Sequence, residues 1–384
     1  MVALQWNGAL RAAEPASTEP DSARSISSPL TVQRVGAREV ANAVQRAADV
    51  DALARLAGAV HTLARRMLAQ GVAAGQVTRI VSALNDRVVA RVVAVEVARS
   101  GRSLPAFAWL ALGSEGRMEQ TLATDQDNGI AFAPDPGASV EGARADLLEV
   151  AARVNAALAR CGFPACEGKV MAGEPAWCRT VGEWQERFAA WMDAGEPEAL
   201  LGATIACDFR RVYGDRGVAA HLVAWLARTA PARGRFLALL ARHALARSAP
   251  IGVLRRFVVP SSGPHAGTLD LKRDGITLFV DAARVLALAH GVAARNTAQR
   301  LREVGERAGL PRADVSAWID ALHFVQALRL RSQYELACAG RAPHNRIAPA
   351  LLHALDRSVL REALGQATAL QRHVARAFAA DAGP

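Results

Sequence analysis

Residues 113–127 read GSEGRMEQTLATDQD, a Gly-Ser turn followed by an Arg and then by two aspartates one residue apart. The stretch before it, Phe107-Ala-Trp-Leu-Ala-Leu112, is short and apolar and is bounded by Pro105 and Gly113, which predicts a buried strand. Gly113 and Ser114 then end that strand. A glycine there lets backbone N–H groups approach a phosphate, and the serine hydroxyl adds a donor that an apolar side chain lacks. Asp125 and Asp127 open the next apolar run, Ile130-Ala-Phe132, where period-2 geometry points both carboxylates to one face about 7 Å apart. One Mg²⁺ fits between them. Ten residues separate Ser114 from Asp125, enough for the chain to turn back and bring the carboxylates beside the glycine turn. A Gly-Ser pair alone is usually only a turn, and D-x-D alone is common on solvated loops. Together they match the layout of metal-dependent nucleotidyl transfer, in which two cations clamp the attacking and leaving oxygens of an in-line displacement.

That chemistry commonly uses a further acid from a neighbouring strand, and Asp208 is the candidate. It lies in Ala203–Tyr213 (ATIACDFRRVY), a β-branched and apolar run ending at Gly214, read here as a strand with one acid at its centre. Burying a lone carboxylate there costs several kcal/mol unless something compensates it. A metal would do so, and so would neighbouring Arg210 or Arg211.

Composition bounds the rest. A chain of 384 residues with 51% hydrophobic content holds real cores and two or three domains. The formal charge of +10 comes almost wholly from Arg, with Lys only at 169 and 272, and aromatics make up 5%. No run interleaves Arg with Phe or Tyr as a single-strand stacking groove would. Nucleic acid is therefore not the expected partner, although the charge helps draw in anionic nucleotides. Five cysteines, at 161, 166, 178, 207 and 338, form no C-x-x-C pair, so reduced core or loop thiols are expected in place of a disulfide framework or a zinc cluster. No signal-peptide pattern and no membrane-length apolar stretch is present, which predicts a soluble, cytoplasmic protein with no membrane partner.

Residues 1–35 are rich in Ser, Pro, Glu and Arg without periodicity and read as a flexible tail. Residues 36–104 carry apolar positions at three- and four-residue steps, through Val40, Val44, Leu53, Leu56, Val60 and Leu63 and again through Val77, Ile80, Leu84, Val88 and Val92, and predict a helical segment packed on the core. Residues 105–215 hold the strands, with helices from about Ala143 to Cys161 and around Glu183 to Met192. Residues 216–384 are almost wholly helical, with Pro and Gly marking the breaks.

Several motifs fall in order along residues 40–378: GSEGRMEQTLATDQDN, GFPACEGKVMAGEPAWCRTVGEW, CDFRRVYGD, LDLKRDGI, VDAARVLALAHG and NTAQRL. With them the chain resembles a bacterial family of nucleotidyltransferases often fused behind cyclic-nucleotide-binding and CBS modules, whose first domain is similar to that of the PII-protein uridylyltransferases. The resemblance implies an α+β fold: a polymerase-β-like core with an N-terminal helical segment and a C-terminal helical substrate-binding domain. It assigns Gly113, Ser114 and Arg117 to a phosphate-binding turn, Asp125 and Asp127 to a metal pair, and Asp208 to the third acid. The residues ahead of the core read only as a tail and a helical segment, where such relatives often carry sensor modules. This chain also places Gln126 and Asn128 where the broader superfamily prefers apolar residues, which predicts a strand more open to solvent.

Lys272, in a chain that otherwise uses Arg, is read as an ammonium for a nucleotide phosphate or acidic substrate, or else as the partner of Asp270 or Asp274 at a domain seam. Asp281 and Arg284 lie three apart on one helix and read as a structural ion pair. Neither a G-x-S-x-G elbow nor H-E-x-x-H spacing is present, which removes the hydrolase readings. The expected function is transfer of a nucleoside monophosphate from an NTP to a protein or small-molecule acceptor, with Mg²⁺ or Mn²⁺, the expected partners being the NTP and a regulatory protein in signalling. The alternative is a nucleotide-binding regulatory module with little or no turnover.

Overall fold

Alternation along one strand sets the layers of the molecule, whose computed structural model describes residues 29–122, 124–252 and 255–378. In β1 (Ala106–Ala111), Phe107 and Trp109 face one way and Ala108 and Leu110 the other, as a pleated strand requires. β2 (Asn128–Ala133) pairs antiparallel with β1, placing Ile130 opposite Trp109. β3 (Cys178–Thr180) lies parallel to β2, and β4 (Arg210–Gly214) lies antiparallel to β1, giving the order β3-β2-β1-β4.

The helices α1 (Pro29–Arg46), α2 (Val50–Ala69) and α3 (Ala74–Ser100) precede the sheet, and α4 (Gly113–Gly116), α5 (Val140–Arg160), α6 (Val181–Ala194) and α7 (Pro197–Ala206) connect its strands. After β4 come α8 (Arg216–Thr229), α9 (Gly234–Leu245), α10 (Thr277–Ala289), α11 (Thr297–Ala308), α12 (Arg312–Cys338) and α13 (Ala354–Phe378), with a small ladder of β5 (Leu269–Asp270) and β6 (Arg346–Ile347). The result is a helix-rich mixed fold around a small sheet. Among the described residues no helix is long and apolar enough to cross a membrane.

Phe107, Trp109, Ile130 and Phe132 form one core with Val88 and Val92 of α3 and Leu147 and Val154 of α5. Ala108, Leu110 and Ala131 form the other with Trp184 and Phe188 of α6, Leu222 of α8 and the apolar faces of α9, α10 and α13. The second core runs without a break from the sheet into the C-terminal helices. Trp184 fixes that side further by donating its indole N–H to the Ile130 carbonyl at 2.8 Å. Truncating a ring as buried as Trp109, which is 1% exposed, to Ala costs ~3–5 kcal/mol.

Local signals explain where the helices begin. Asp49, Ser139, Asp215 and Asn296 each cap a helix by accepting from a backbone N–H three residues on, and Thr180 with Glu183 makes a reciprocal capping box at α6.

Three expectations differ from the fold. The tail assigned to residues 1–35 lies outside the described residues as far as 28, and α1 already begins at Pro29. The run Ala203–Tyr213 is not one strand: α7 extends to Ala206, the chain turns at Cys207 and Asp208, and only Arg210 onward joins the sheet. A short apolar run fits a helix or a strand equally by periodicity, and Pro197 at the first turn starts the helix. Gln126 and Asn128 do not open their segment to solvent; both are buried. Gln126 Nε2 donates to the carbonyls of Asn155 (3.0 Å) and Phe163 (2.8 Å). Asn155 Nδ2 donates to Gln126 Oε1 (2.7 Å) and Asn128 Oδ1 (3.0 Å). Interior amides are tolerated because their hydrogen bonds are made.

Candidate active site

The turn after β1 is dictated by two glycines. Gly113 has φ +52°, and a Cβ on it would stand 2.9 Å from Asp127 Oδ2. Gly116 is more constrained still, since a Cβ there would lie 1.6 Å from the backbone carbonyl oxygen of Asp208. Only hydrogen fits. Arg210 then holds the turn from β4, donating to the Glu115 carbonyl at 3.0 Å while its guanidinium forks onto Asp86 of α3 at 2.7 and 2.9 Å. Glu115 is buried in this turn, and burial, with Asp86 and Asp127 nearby, pushes its carboxyl up to about 8. Gly116 and Glu115 were not singled out from sequence, where a second Gly three residues after the first carries no signal of what packs on it.

Asp125 and Asp127 stand just before β2, in extended backbone that prolongs the ladder: Leu112 N–H donates to the Asp127 carbonyl at 2.8 Å. Gln126 points the other way into the amide cluster, so the predicted alternation holds although the strand proper begins later. The two carboxylates come together beside the glycine turn, joined by Cys166, with one ligand atom of each residue within 4.8 Å of the others. Burial pushes Asp127 up to about 6, Asp125 adds to the rise, and Lys272 and Arg117 oppose it. Cys161 and Cys178 are buried among apolar side chains of the other face; Cys166 alone of that trio reaches the aspartates.

Asp208 is not in this group. It is wholly buried, and both its oxygens are taken by guanidiniums: Oδ2 accepts from Arg117 at 2.6 Å and from Arg284 at 2.8 Å, and Oδ1 accepts from Arg300 at 2.6 Å and from Arg284 at 3.2 Å. Burial opposes its ionisation, but Arg284, Arg300 and Arg117 outweigh that cost and hold the carboxyl well below the usual range. The compensating cations foreseen in Arg210 and Arg211 are thus supplied by three other arginines, two of them on α10 and α11. Asp281 accepts from Arg284 at 2.6 Å, the structural pair expected, and Glu119 accepts from Arg117 at 2.9 Å and from the Thr297 N–H at 2.7 Å. Three carboxylates and three guanidiniums thereby close the seam between the core and the helical domain.

Beside that seam lies a shallow cleft lined by Ser114, Arg117 and Glu119 from the core and by Lys272, Thr277, Gln326 and Arg329 from the helical side. Lys272 sits in a π-helical turn, Lys272–Ile276, leading into α10. Asp270 and Asp274 are engaged by Arg273, whose Nε donates to Asp274 at 2.7 Å and whose backbone N–H donates to Asp270 at 2.9 Å. Among the described residues Lys272 has no ion-pair partner. Arg329, not expected from sequence, is buried and donates to Asn345 Oδ1 at 2.7 Å; burial lowers it to about 10. It lies in mid-helix on α12 with nothing in its neighbours to mark it.

Residues 58–198 match the family described as Putative nucleotidyltransferase DUF294, and residues 234–378 match that described as Putative nucleotidyltransferase substrate binding domain. No curated protein matches the chain.

Proposed function

Because the chain belongs to this nucleotidyltransferase family, carrying its two domains in order, we propose that it moves a nucleoside monophosphate from an NTP to a hydroxyl or similar acceptor, with release of pyrophosphate. The observation that carries the reading is the convergence of Asp125 and Asp127 beside the Gly113 turn, with Lys272 across the cleft. On this reading the core is polymerase-β-like.

The two carboxylates fit a hard divalent cation. Two carboxylates converge where burial and mutual repulsion already raise Asp127, and a cation between them relieves both costs. Asp125 and Asp127 would hold Mg²⁺ or Mn²⁺. When bound, the cation neutralises triphosphate charge and polarises the phosphoryl group under attack.

The chain's own groups do the remaining work. Gly113 lets the Asp127 carboxylate lie against the turn, and Ser114 offers its hydroxyl at the edge of the cleft. Arg117 is held rigidly, since its Nε and one terminal nitrogen are committed to Glu119 and Asp208, and it presents fixed positive charge to the cleft. Lys272 and Arg329 add charge from the helical side, so an anionic substrate bridges the two domains. The acceptor binds on the helical side of the cleft, and a regulatory protein is the acceptor class we favour.

One observation favours a second reading. Asp208 cannot take the acceptor proton while three arginines hold it, so a nucleotide-binding regulatory module with little turnover also accounts for the site. Incubating the protein with each α-labelled NTP and Mg²⁺ in a cell lysate separates the two. Label on a protein or small molecule supports transfer; saturable NTP binding without any label supports the module.

A further inference from the structure

The loop 161–170 (CGFPACEGKV) has no regular structure of its own, yet it is tied along the aspartate segment on both sides of Asp127. Gln126 N–H donates to the Pro164 carbonyl at 2.9 Å, and Asn128 N–H donates to the Val170 carbonyl at 3.0 Å. Between those ties the chain doubles back tightly: Lys169 N–H donates to the Cys166 carbonyl at 3.0 Å, and Lys169 adopts φ +54°, a conformation disfavoured for a side-chain-bearing residue. Such a turn persists when its surroundings fix it. It wraps Cys166 Sγ, which lies against the backbone of Gly168 and Val170 and within hydrogen-bonding reach of Asp127, and whose thiol burial pushes up. The sulfur, Asp125 and Asp127 offer one ligand atom each within 4.8 Å of one another.

This donor set is not that of a pure Mg²⁺ site. Mg²⁺ takes oxygen ligands and water, whereas a thiolate alongside carboxylates suits Zn²⁺, which accepts sulfur and oxygen together and leaves a fourth position open. We propose that Cys166 is a third ligand, and that with Asp125 and Asp127 it forms a thiolate–carboxylate site selective for a thiophilic divalent cation, Zn²⁺ over Mg²⁺. The inference rests on the proposed function only in treating the aspartate pair as a cation site. Binding releases the thiol proton as the metal–sulfur bond forms. Zn²⁺ then competes with Mg²⁺ for the same two carboxylates, which makes the centre responsive to zinc.

The test uses the full chain stripped of metal, without nucleotide, titrated with Co²⁺ as the spectroscopic probe and then with Zn²⁺. Expected are a near-ultraviolet thiolate-to-cobalt band at one equivalent, its loss when Zn²⁺ displaces Co²⁺, and persistence of Co²⁺ binding in excess Mg²⁺. Cys166→Ser should lose the band and weaken Zn²⁺ binding on the order of tenfold or more, and Asp127→Asn should weaken the same band. Co²⁺ bound without the band in the wild-type protein overturns the proposal whatever the variants do. So does a band that survives Cys166→Ser, which would assign it to another thiol such as exposed Cys338. Zn²⁺ affinity unchanged in a folded Cys166→Ser protein, as circular dichroism would show, reduces Cys166 to a hydrogen-bond partner of Asp127 and also overturns it. NTP transfer measured separately keeps the two readings apart: transfer without the band refutes only this inference, and the band without transfer refutes only the proposed activity.

Discussion

Arg300, on α11, donates to Asp208 Oδ1 at 2.6 Å across the seam between the core and the helical domain, with both side chains almost wholly excluded from solvent. Asp208 is thus the counter-ion of a structural network. Asp208→Asn keeps the shape but leaves buried Arg284 and Arg300, and largely buried Arg117, short of a charge, and breaking a buried pair in this way costs ~3–5 kcal/mol. A fall of that size in the unfolding free energy from denaturant titration is expected. Unchanged stability combined with lost cation affinity would instead restore Asp208 to the metal site.

The same carboxyl makes stability depend on pH. Its folded pKa is depressed by Arg284, Arg300 and Arg117 against the cost of burial, so the folded state releases the proton more readily than the unfolded chain. The stabilisation is complete above the unfolded carboxylate range, near 4, and is lost as pH falls from there toward the folded value. The share of stability due to Asp208 should be intact from pH 7 to about 5, where the raised carboxyls of Glu115 and Asp127 make the midpoint rise as pH falls, and should be lost steeply below about 4; Asp208→Asn should flatten that acid fall. A wild-type acid limb identical to that of the variant contradicts the account.

Gly116→Ala is expected to be far more damaging than its place in a short surface-connected turn suggests. The new Cβ would sit 1.6 Å from the Asp208 carbonyl oxygen, and the backbone of the seam must move to admit it. Expression as soluble, cooperatively unfolding protein at wild-type midpoint would show the contact to be wrong. Gly113→Ala meets a side-chain oxygen at 2.9 Å and a left-handed backbone, so it should cost less in stability, ~1–2 kcal/mol, and more in cation binding.

How much of this was legible in the sequence depends on what each signal measures. The strands flanking the glycine turn, the helices before and after the core and the convergence of Asp125 with Asp127 follow from periodicity and spacing, which are local properties. Lys272 stood out because the chain uses Lys so rarely, and it does border the cleft. Asp208 was read correctly as a buried acid needing compensation, but its partners come from residues 76 and 92 positions away, and no local pattern records such a distance. Apolar Ala203–Ala206 reads equally as helix or strand. Cys166 was read as a core or loop thiol and Arg329 was not singled out, for one shared reason: their surroundings depend wholly on which loop or helix packs beside them.

Lys272→Ala tests whether the helical domain contributes to anion binding. Its ammonium has no ion-pair partner among the described residues, so its removal should leave the unfolding midpoint unchanged. Affinity for an NTP, measured by titration with a fluorescent analogue, should fall roughly tenfold, as for loss of one charge-assisted contact. Equal affinity would confine the nucleotide to the core and remove Lys272 from the site.

Pyrophosphate release from an NTP, measured with Mg²⁺ on the wild-type protein and on Asp127→Asn in the presence of the acceptor fraction, tests the proposed transfer most directly. The carboxylate change removes one charge from the pair beside Gly113 while keeping the shape of the side chain. The account predicts release that requires Mg²⁺ in the wild type and a drop of at least about a hundredfold in the variant, with the unfolding midpoint preserved. Release that continues undiminished in folded Asp127→Asn would contradict it.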